Sequence, residues 1–356
     1  MPETPRLIAF YLPQFHPIPE NDQWWGRGFT EWTNTAKAKP LFRGHYQPHV
    51  PADLGFYDLR VPETRQAQAD MAKSYGIEGF CYYHYWFGGR RILERPLQEV
   101  ISSGQPEFPI CVCWANQSWT GIWHGAPDRV LIEQTYPGDD DHRAHFDCLL
   151  PAFCDPRYIV VDGSPLFVIY RPDQIPDVRR VTDVWRNLAI QNGLGGLHLV
   201  GVHDDPLWNP TLHGFDAVTN QRLPERRGWI SKRQPIRWAR QKLAELAGIP
   251  TVHRYQDVLD ELMPARHPGV ASYPMVVHAW DNSPRSGREA LVLHDSDPDL
   301  FRKLLRRAFE LHVATPPTRR IVFLKSWNEW AEGNHLEPDL KFGDGFLRVI
   351  REELAR

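Results

Sequence analysis

The segment Lys325–Gly333, which reads Lys-Ser-Trp-Asn-Glu-Trp-Ala-Glu-Gly, has the residue types of an acid–base site. Glu329 and Glu332 are three residues apart, and in a helical turn this spacing puts both carboxyls on one face. Two carboxyls in a partly dry cleft do not both ionise easily, so one becomes a proton donor and the other an acceptor. Cleavage of a glycosidic bond needs such a pair. We therefore predict that Glu329 and Glu332 are catalytic, against the alternative that they are ordinary acidic residues at a helix start.

Short apolar runs recur along the chain with helical patterns between them. The predicted strands are Leu7–Leu12, Gly79–Tyr85, Ile110–Trp114, Leu166–Tyr170, Leu197–Val202, Ala217–Thr219, Met275–Trp280 and Ile321–Lys325. The predicted helices are Glu63–Ser74, Asp141–Ala152, Val178–Gln191, Ile236–Leu246, Asp299–His312 and Gly345–Leu354. This alternation predicts the α/β class, with residues 1–356 forming a single (β/α)₈ TIM barrel as one catalytic domain. Residues 13–59 are too long for a plain βα loop and predict an ordered N-terminal loop insertion over one end of the barrel.

Polar and aromatic side chains follow almost every predicted strand, at the end where such barrels carry their active sites. Aromatic faces also suit the C–H faces of sugar rings. The candidate substrate-binding residues are His16, Glu31, Trp32, Tyr83, Tyr85, Trp86, Trp114, Asn116, Trp280, Trp327 and Asn328. Because side chains alternate along a strand, we expect the half of Tyr82–Trp86 that faces the barrel interior to be packing.

The residues around the two glutamates resemble the signature of a known family. Trp327–Gly333, followed by Leu336–Pro338, is similar to the motif of the endo-α-mannosidases of glycoside hydrolase family 99. The resemblance is closer still to their bacterial relatives, the WbsX-type proteins found in polysaccharide gene clusters. It covers essentially the whole chain and includes Phe10–His16, Glu20–Gly26, Gly28–Asn34, Tyr82–Phe87 and Cys113–Asn116.

The resemblance implies a (β/α)₈ barrel and retention of configuration. It also implies that Glu329 deprotonates the sugar 2-hydroxyl, which attacks the anomeric carbon to give a 1,2-anhydro intermediate, while Glu332 protonates the leaving group and then activates water. This chemistry requires a 2-hydroxyl trans to the leaving group, as in α-mannosides and α-rhamnosides, and no metal or organic cofactor. The chain departs from these relatives at Ala331, where the mannosidases have His, and at Gln117, where Glu is usual.

Three functions are compatible with these residues. The first is a retaining glycoside hydrolase acting on α-mannoside or α-rhamnoside-like linkages. The second is a glycosyltransferase or transglycosylase of lipopolysaccharide O-antigen or capsule biosynthesis, although no Gly-rich phosphate loop stands between a strand and a helix. The third is an inactive carbohydrate-binding barrel, which the intact glutamate pair disfavours. In each case the expected partner is an oligo- or polysaccharide.

Composition excludes some partners and leaves one open. A net charge of −3 and a pI near 6.6 argue against a nucleic-acid-binding protein. No apolar run reaches the length of a membrane helix, and the first residues show no signal-peptide pattern, so we expect a cytoplasmic protein. The stretch Arg222–Lys242 has eight basic residues against one acidic residue. It is either a solvated face or a binding surface for an anionic or phosphorylated partner.

Overall fold

Eight parallel strand positions form a closed barrel in the computed structural model, which describes residues 4–121, 126–224, 248–263, 269–311 and 315–356. The strands are β1 (Arg6–Tyr11), β2 (Gly79–Phe87), β3 (Ile110–Trp114), β4 (Ser164–Ile169), β5 (His198–Val202), β6 (Ala217–Thr219), β7 (Ala271–Tyr273 and Met275–Val277) and β8 (Ile321–Lys325). Each strand pairs in parallel with the next, and β8 pairs with β1. The predicted (β/α)₈ barrel is therefore confirmed.

The seventh strand is interrupted at Pro274, which has no N–H to donate to a neighbouring strand. Its first segment pairs with β6 and its second with β8, so the barrel closes through the two halves of one strand. The strand begins and ends earlier than the predicted Met275–Trp280. Trp280 consequently lies beyond the end of β7, in the short strand Trp280–Asp281, which pairs with the strand Leu291–His294. This is the end of the barrel at which such enzymes carry their active sites.

Helices follow most of the strands. They are α1 (Pro19–Trp25), α2 (Glu31–Lys37), α3 (Pro62–Ser74), α4 (Arg95–Ser103), α5 (Asp139–Phe153), α6 (Val178–Gln191), α7 (Leu259–Leu262), α8 (Ser283–Ser286), α9 (Pro298–Glu310) and α10 (Gly345–Leu354). The bounds of α6 and α10 are those predicted, and α3, α5 and α9 differ from prediction by at most two residues at either end. The predicted helix Ile236–Leu246 lies outside the described residues. Across the described ranges, none of the helices combines the length and apolar character needed to cross a bilayer.

The insertion between β1 and α3 is folded against the loop that follows β8. It contains α1 and α2, and its later part runs beside residues 338–340. The Ala52 N–H donates to the Pro338 carbonyl at 2.9 Å, and the Leu340 N–H donates to the Val50 carbonyl at 3.0 Å. These bonds fix the insertion over the end of the barrel at which β8 delivers its glutamates.

Candidate active site

A cavity of about 530 Å³ lies at the C-terminal ends of the barrel strands. Residues after or near the ends of β1, β2, β3, β4, β7 and β8 line it, so it is built by convergence of the strands. The lining residues are Leu12, Gln14, Tyr83, Tyr85, Ala115, Gln117, Ser118, Trp119, Thr120, Tyr170, Gln174, Trp280, Arg285, Lys325, Glu329 and Glu332. A mixed aromatic and charged lining of this kind suits a sugar.

The two glutamates are placed by a short hairpin after β8. Asn328–Glu329 pairs in antiparallel fashion with Asn334–His335, and the single 3₁₀ turn Trp330–Glu332 connects them. Glu329 directly precedes this turn and Glu332 ends it, and both carboxyls reach one cavity. Gly333 closes the turn at φ +56°, and a Cβ there would lie 2.9 Å from the Cβ of Asp281. The turn therefore requires glycine.

Arg285 joins three carboxylates at the floor of the cavity. Its Nη1 lies 2.6 Å from Glu332 Oε1, its Nη2 3.1 Å from Glu329 Oε2, and its Nε 3.0 Å from Glu31 Oε2. The side chains of Arg285 and Glu329 are each 5% exposed, Glu31 is fully buried, and Glu332 is 16% exposed. The planar guanidinium thus fixes the two candidate catalytic groups relative to each other.

Lys325, the last residue of β8, contributes a second cation. Its Nζ lies 3.5 Å from Glu329 Oε1 and donates to the Tyr83 hydroxyl at 2.6 Å. Burial lowers the pKa of Lys325, but the charges of Glu329 and Glu332 outweigh this effect and leave the pKa above its ordinary value. Lys325 is therefore charged at neutral pH.

Charge balance in this cluster favours one protonated carboxyl. The contacts connect three carboxyls (Glu31, Glu329 and Glu332) to two cations (Arg285 and Lys325). Burial and the neighbouring Glu329 raise the pKa of Glu332 to about 7, against the opposing charges of Arg285 and Lys325. Burial also raises the pKa of Glu31, but Glu31 does not line the cavity. Glu332 is thus the carboxyl that both holds a proton near neutral pH and faces the cavity.

The cavity brings together five of the predicted site residues: Glu329, Glu332, Tyr83, Tyr85 and Trp280 all line it. Glu31, which we predicted to bind substrate, reaches the cluster through Arg285. Burial raises the pKa values of Tyr83 and Tyr85 well above the ordinary value, so both hydroxyls keep their protons.

The structure corrects the expectation about which face of β2 is packing. The interior-facing Tyr83 and Tyr85 line the cavity, whereas Trp86 and Trp114 point outward against the helices. The Trp86 indole N–H donates to Asp141 at 3.1 Å, and its ring stacks on His145 of α5. Trp114 packs against His145 and against Trp185 of α6. Since alternate residues of a strand face opposite sides, both indoles are excluded from the cavity.

Two predicted asparagines hold loops rather than line the cavity. The Asn116 side chain accepts from the Arg171 N–H at 2.8 Å and donates to the Arg171 carbonyl at 2.7 Å. Asn328 makes the same pair of bonds with the backbone of Leu12, at 2.7 and 3.1 Å. Each buried amide therefore satisfies one residue of a neighbouring loop. The two asparagines therefore hold the loops next to the cavity without lining it.

Three further predicted residues, His16, Trp32 and Trp327, are also buried outside the cavity lining. The His16 ring contacts the Pro13 carbonyl at 2.9 Å, and the Trp32 indole N–H donates to the Tyr57 carbonyl at 2.8 Å. Trp327 packs on Phe80. The positions of these three residues after a strand or in the insertion predict contact with substrate, but their polar atoms or rings are directed into the packing.

Arg285 and Lys325 are two site residues that the sequence does not identify as functional. A lysine that ends an apolar strand is a usable signal, because lysine is almost never buried without a partner. Arg285 gives a weaker signal, since it lies beyond the end of β7 and reaches the glutamates only through the tertiary fold.

A second cavity, of about 550 Å³, adjoins the first. The two share Tyr170, Trp280 and Glu332. The second one is also lined by Arg171 and by Arg222, the first residue of the basic stretch Arg222–Lys242. Residues 225–242 of that stretch lie outside the described part of the chain, so its predicted anionic partner stays a prediction.

The barrel and its buried carboxyl cluster are features of a carbohydrate-active enzyme, and comparison with known proteins identifies this class. The family model described as Glycosyltransferase WbsX matches residues 7–350. The chain belongs to this WbsX family and is a carbohydrate-active enzyme. The resemblance seen in the sequence is thereby confirmed.

Curated relatives include the uncharacterized protein WxcX of Xanthomonas campestris pv. campestris, from strain B100 and from strain ATCC 33913. Each is 40% identical over 364 residues, covering all of this chain and 51% of the relative. The chain thus spans about half the length of the curated relatives it matches.

Two solved structures share the fold. The GH99 endo-α-mannosidase from Bacteroides thetaiotaomicron aligns with a TM-score of 0.59 and 14% identity, over 98% of this chain and 97% of that chain. A glycoside hydrolase-like protein also gives 0.59 and 14%, over 99% and 94% of the two chains. At this identity the likeness is one of fold.

Proposed function

We propose that the protein cleaves a glycosidic linkage with retention of configuration, with Glu332 as general acid and Glu329 as base. The observation that carries the proposal is the pair of carboxyls on one guanidinium, of which the cavity-facing Glu332 has a pKa raised to about 7. A group with that pKa can give a proton to a leaving oxygen at neutral pH. Glu329 contacts both Arg285 and Lys325, and we give it the role of base.

The proposed substrate class follows from the role given to Glu329. Glu329 takes the proton of the sugar 2-hydroxyl, the 2-oxygen attacks the anomeric carbon, and the glycosidic bond breaks as Glu332 protonates the leaving oxygen. Water, deprotonated by Glu332, then opens the 1,2-anhydro ring at the anomeric carbon, and Glu329 returns the proton to the 2-oxygen. The attack requires a 2-hydroxyl trans to the leaving group. We therefore propose α-mannoside or α-rhamnoside-like linkages, a variation on the two-carboxyl scheme.

Glycosyl transfer is the second candidate, and the second cavity favours it. This cavity meets the first at Glu332 and presents Arg171 and Arg222, so an acceptor could be bound next to the group that activates the incoming oxygen. In this case a sugar hydroxyl replaces water in the second step, and the rest of the chemistry is unchanged. The description of the matching family as a glycosyltransferase agrees with this alternative.

Substitution of the two glutamates tests the proposal. We expect Glu329→Gln and Glu332→Gln each to reduce turnover of α-mannan or rhamnose-containing oligosaccharides by roughly 10²–10⁴-fold, because each removes a proton transfer. Mass spectrometry of the products measures release and also detects transfer to an added acceptor. The exposed Glu63→Gln in α3 is the matched control and should keep wild-type activity.

The same assay separates the alternatives. Products elongated by the acceptor, or a thermal shift with a nucleoside diphosphate-sugar, would favour the transferase. Release that persists in both glutamine variants, across a broad panel of glycans, would contradict the proposed roles.

A further inference from the structure

A second polar cluster lies behind the hairpin that carries the glutamates. His49, His335 and Asp339 are all buried, and one ligand atom from each lies within 4.8 Å of the others. The Nδ1 atom of His49 faces the Nε2 atom of His335 at 2.8 Å. The three residues line a small cavity of about 40 Å³, enough space for an ion or a water molecule. The glycosidic chemistry proposed above uses none of them.

Aromatic stacking holds both imidazole rings in place. The His335 ring lies flat on Trp330, with centroids 3.6 Å apart and planes 10° apart. The His49 ring stacks on Tyr46 at 4.4 Å. His335 Nδ1 lies 2.9 Å from the Glu337 carbonyl, so it is assigned the proton, which leaves the Nε2 lone pair directed at His49. A backbone carbonyl that fixes the histidine tautomer in this way is the usual outer contact of a metal-binding imidazole.

The carboxylate is fixed by backbone groups. Asp339 Oδ1 accepts from the N–H groups of Lys341, at 3.0 Å, and Phe342, at 2.7 Å. The backbone bonds between residues 50–52 and 338–340 hold the His49 segment beside Asp339. Donors from two distant parts of the chain are thus brought to one point by regular backbone pairing.

We propose that His49, His335 and Asp339 bind a divalent transition-metal ion, and that Zn²⁺ fits this donor set of two nitrogens and one oxygen. Zinc binds histidine nitrogen and aspartate oxygen at about 2.0–2.2 Å. The two nitrogens need to separate by roughly half an ångström to reach tetrahedral angles at those distances. His335 is paired with Asn328 in the hairpin, so the ion would cross-link the insertion to the strand that carries Glu329. Its role is therefore structural.

Metal content tests the proposal directly. The full chain is stripped with a chelator, reloaded with Zn²⁺ alone and dialysed, and the bound metal is measured by plasma mass spectrometry. We expect about one Zn²⁺ per chain and a rise in Tm of about 3–5 °C when free Zn²⁺ is 100 times Kd. Co²⁺ loaded in its place should give visible ligand-field absorption bands typical of mixed nitrogen and oxygen ligands.

Variants locate the site. His49→Asn and Asp339→Asn should both lose the bound ion and the Co²⁺ bands, whereas Glu329→Gln should keep both. His294→Asn is the matched control, because His294 lines the same small cavity outside the cluster and contacts Asp295. Wild-type protein that retains no metal and shows no Co²⁺ bands would overturn the proposal, whether or not the variants fold. It would also be overturned if both cluster variants kept the ion, or if the control lost it; the cluster would then be a hydrogen-bonded histidine pair.

Discussion

At the residue scale, the two glutamates differ in what surrounds them rather than in their own chemistry. In water their carboxyls would have the same pKa. In the protein, Glu329 contacts Arg285 and Lys325 and is almost fully buried, whereas Glu332 contacts Arg285 and is more exposed to the cavity. The proposed division into proton donor and acceptor would therefore come from burial and from the neighbouring charges.

The raised pKa of Glu332 predicts the pH dependence of activity. Burial and Glu329 raise this pKa to about 7, so Glu332 holds its proton below pH 7 and loses it above. We expect kcat/KM for a natural linkage to fall as the pH rises through 7, by about tenfold per unit on the alkaline side. A pH–rate profile measures this. A nitrophenyl glycoside serves as the control. Its leaving group needs little protonation, so its kcat/KM should fall less at alkaline pH. Equal, flat profiles for both substrates from pH 6 to 9 would contradict the assignment of Glu332 as the acid.

Arg285 should set the pH at which kcat/KM falls, that is, the position of the alkaline limb of the pH–rate profile. Its charge lowers the pKa of Glu332, so Arg285→Gln should move the limb to higher pH and reduce kcat by about 10²-fold as the carboxyls lose their common partner. The same variant should lose about 3–5 kcal/mol of stability, since it leaves buried charges unpaired. Arg285→Lys keeps the charge and should leave the limb near its wild-type position. An unmoved limb in a folded Gln variant would show that Arg285 does not act on Glu332.

At the element scale, the hairpin after β8 is held by a buried carboxyl that is not in the cavity. Glu337 accepts hydrogen bonds from the Tyr57 hydroxyl at 2.8 Å, the Gln68 amide at 2.7 Å and the Trp330 indole at 2.6 Å. These donors belong to the insertion, to α3 and to the turn between the glutamates. One side chain thus joins three elements that position the active site.

Replacing Glu337 should show how much this side chain contributes to stability and how that contribution depends on pH. Glu337→Ala leaves three buried donors without an acceptor and should cost roughly 3 kcal/mol, whereas Glu337→Gln should cost less. Burial raises the pKa of Glu337 to about 7, so its contribution to stability is full below the unfolded pKa near 4.5 and is lost as the pH rises through 7. Urea unfolding at pH 5 and pH 8 measures the effect. The stability of the wild type relative to the Gln variant should be greater at pH 5, and an unchanged difference would contradict the linkage.

The elements could be predicted from sequence to very different degrees. The eight strands were predictable because each is a short apolar run buried on both faces, a local property. The spacing of Glu329 and Glu332 predicted a helical turn at this point, and the structure has a 3₁₀ turn there. The positions of Arg285, Trp86 and Trp114 were not predictable, because they depend on the orientation of side chains around a closed barrel. The break in β7 follows from Pro274, but its register depends on two neighbouring strands.

At the scale of the whole molecule, barrel closure and the folded insertion produce one cleft made of two adjoining cavities that share Tyr170, Trp280 and Glu332. Glu332 lies at their junction, so a glycan bound across it would have sugars on both sides. The first cavity is lined by Glu329, Arg285 and Lys325, whereas the second is lined by Arg171 and Arg222. The two halves should therefore contribute differently to binding and to chemistry.

Arg171 tests this division of the cleft. Its guanidinium lies over the Tyr170 ring at 5.0 Å and about 4.0 Å from Asp204, and its side chain is 34% exposed, so it is free to meet a bound glycan. Arg171→Gln should raise KM for oligosaccharides that extend past Glu332 by about 3–10-fold, the loss expected for a partly exposed charged contact. The kcat for those substrates and both constants for a short aryl glycoside should stay near wild type. Arg179→Gln on α6, where the arginine pairs with Asp183, is the matched control. If Arg171→Gln reduced kcat equally for the short and the long substrates, the second cavity would be part of the reacting centre. The cleft would then not be divided at Glu332.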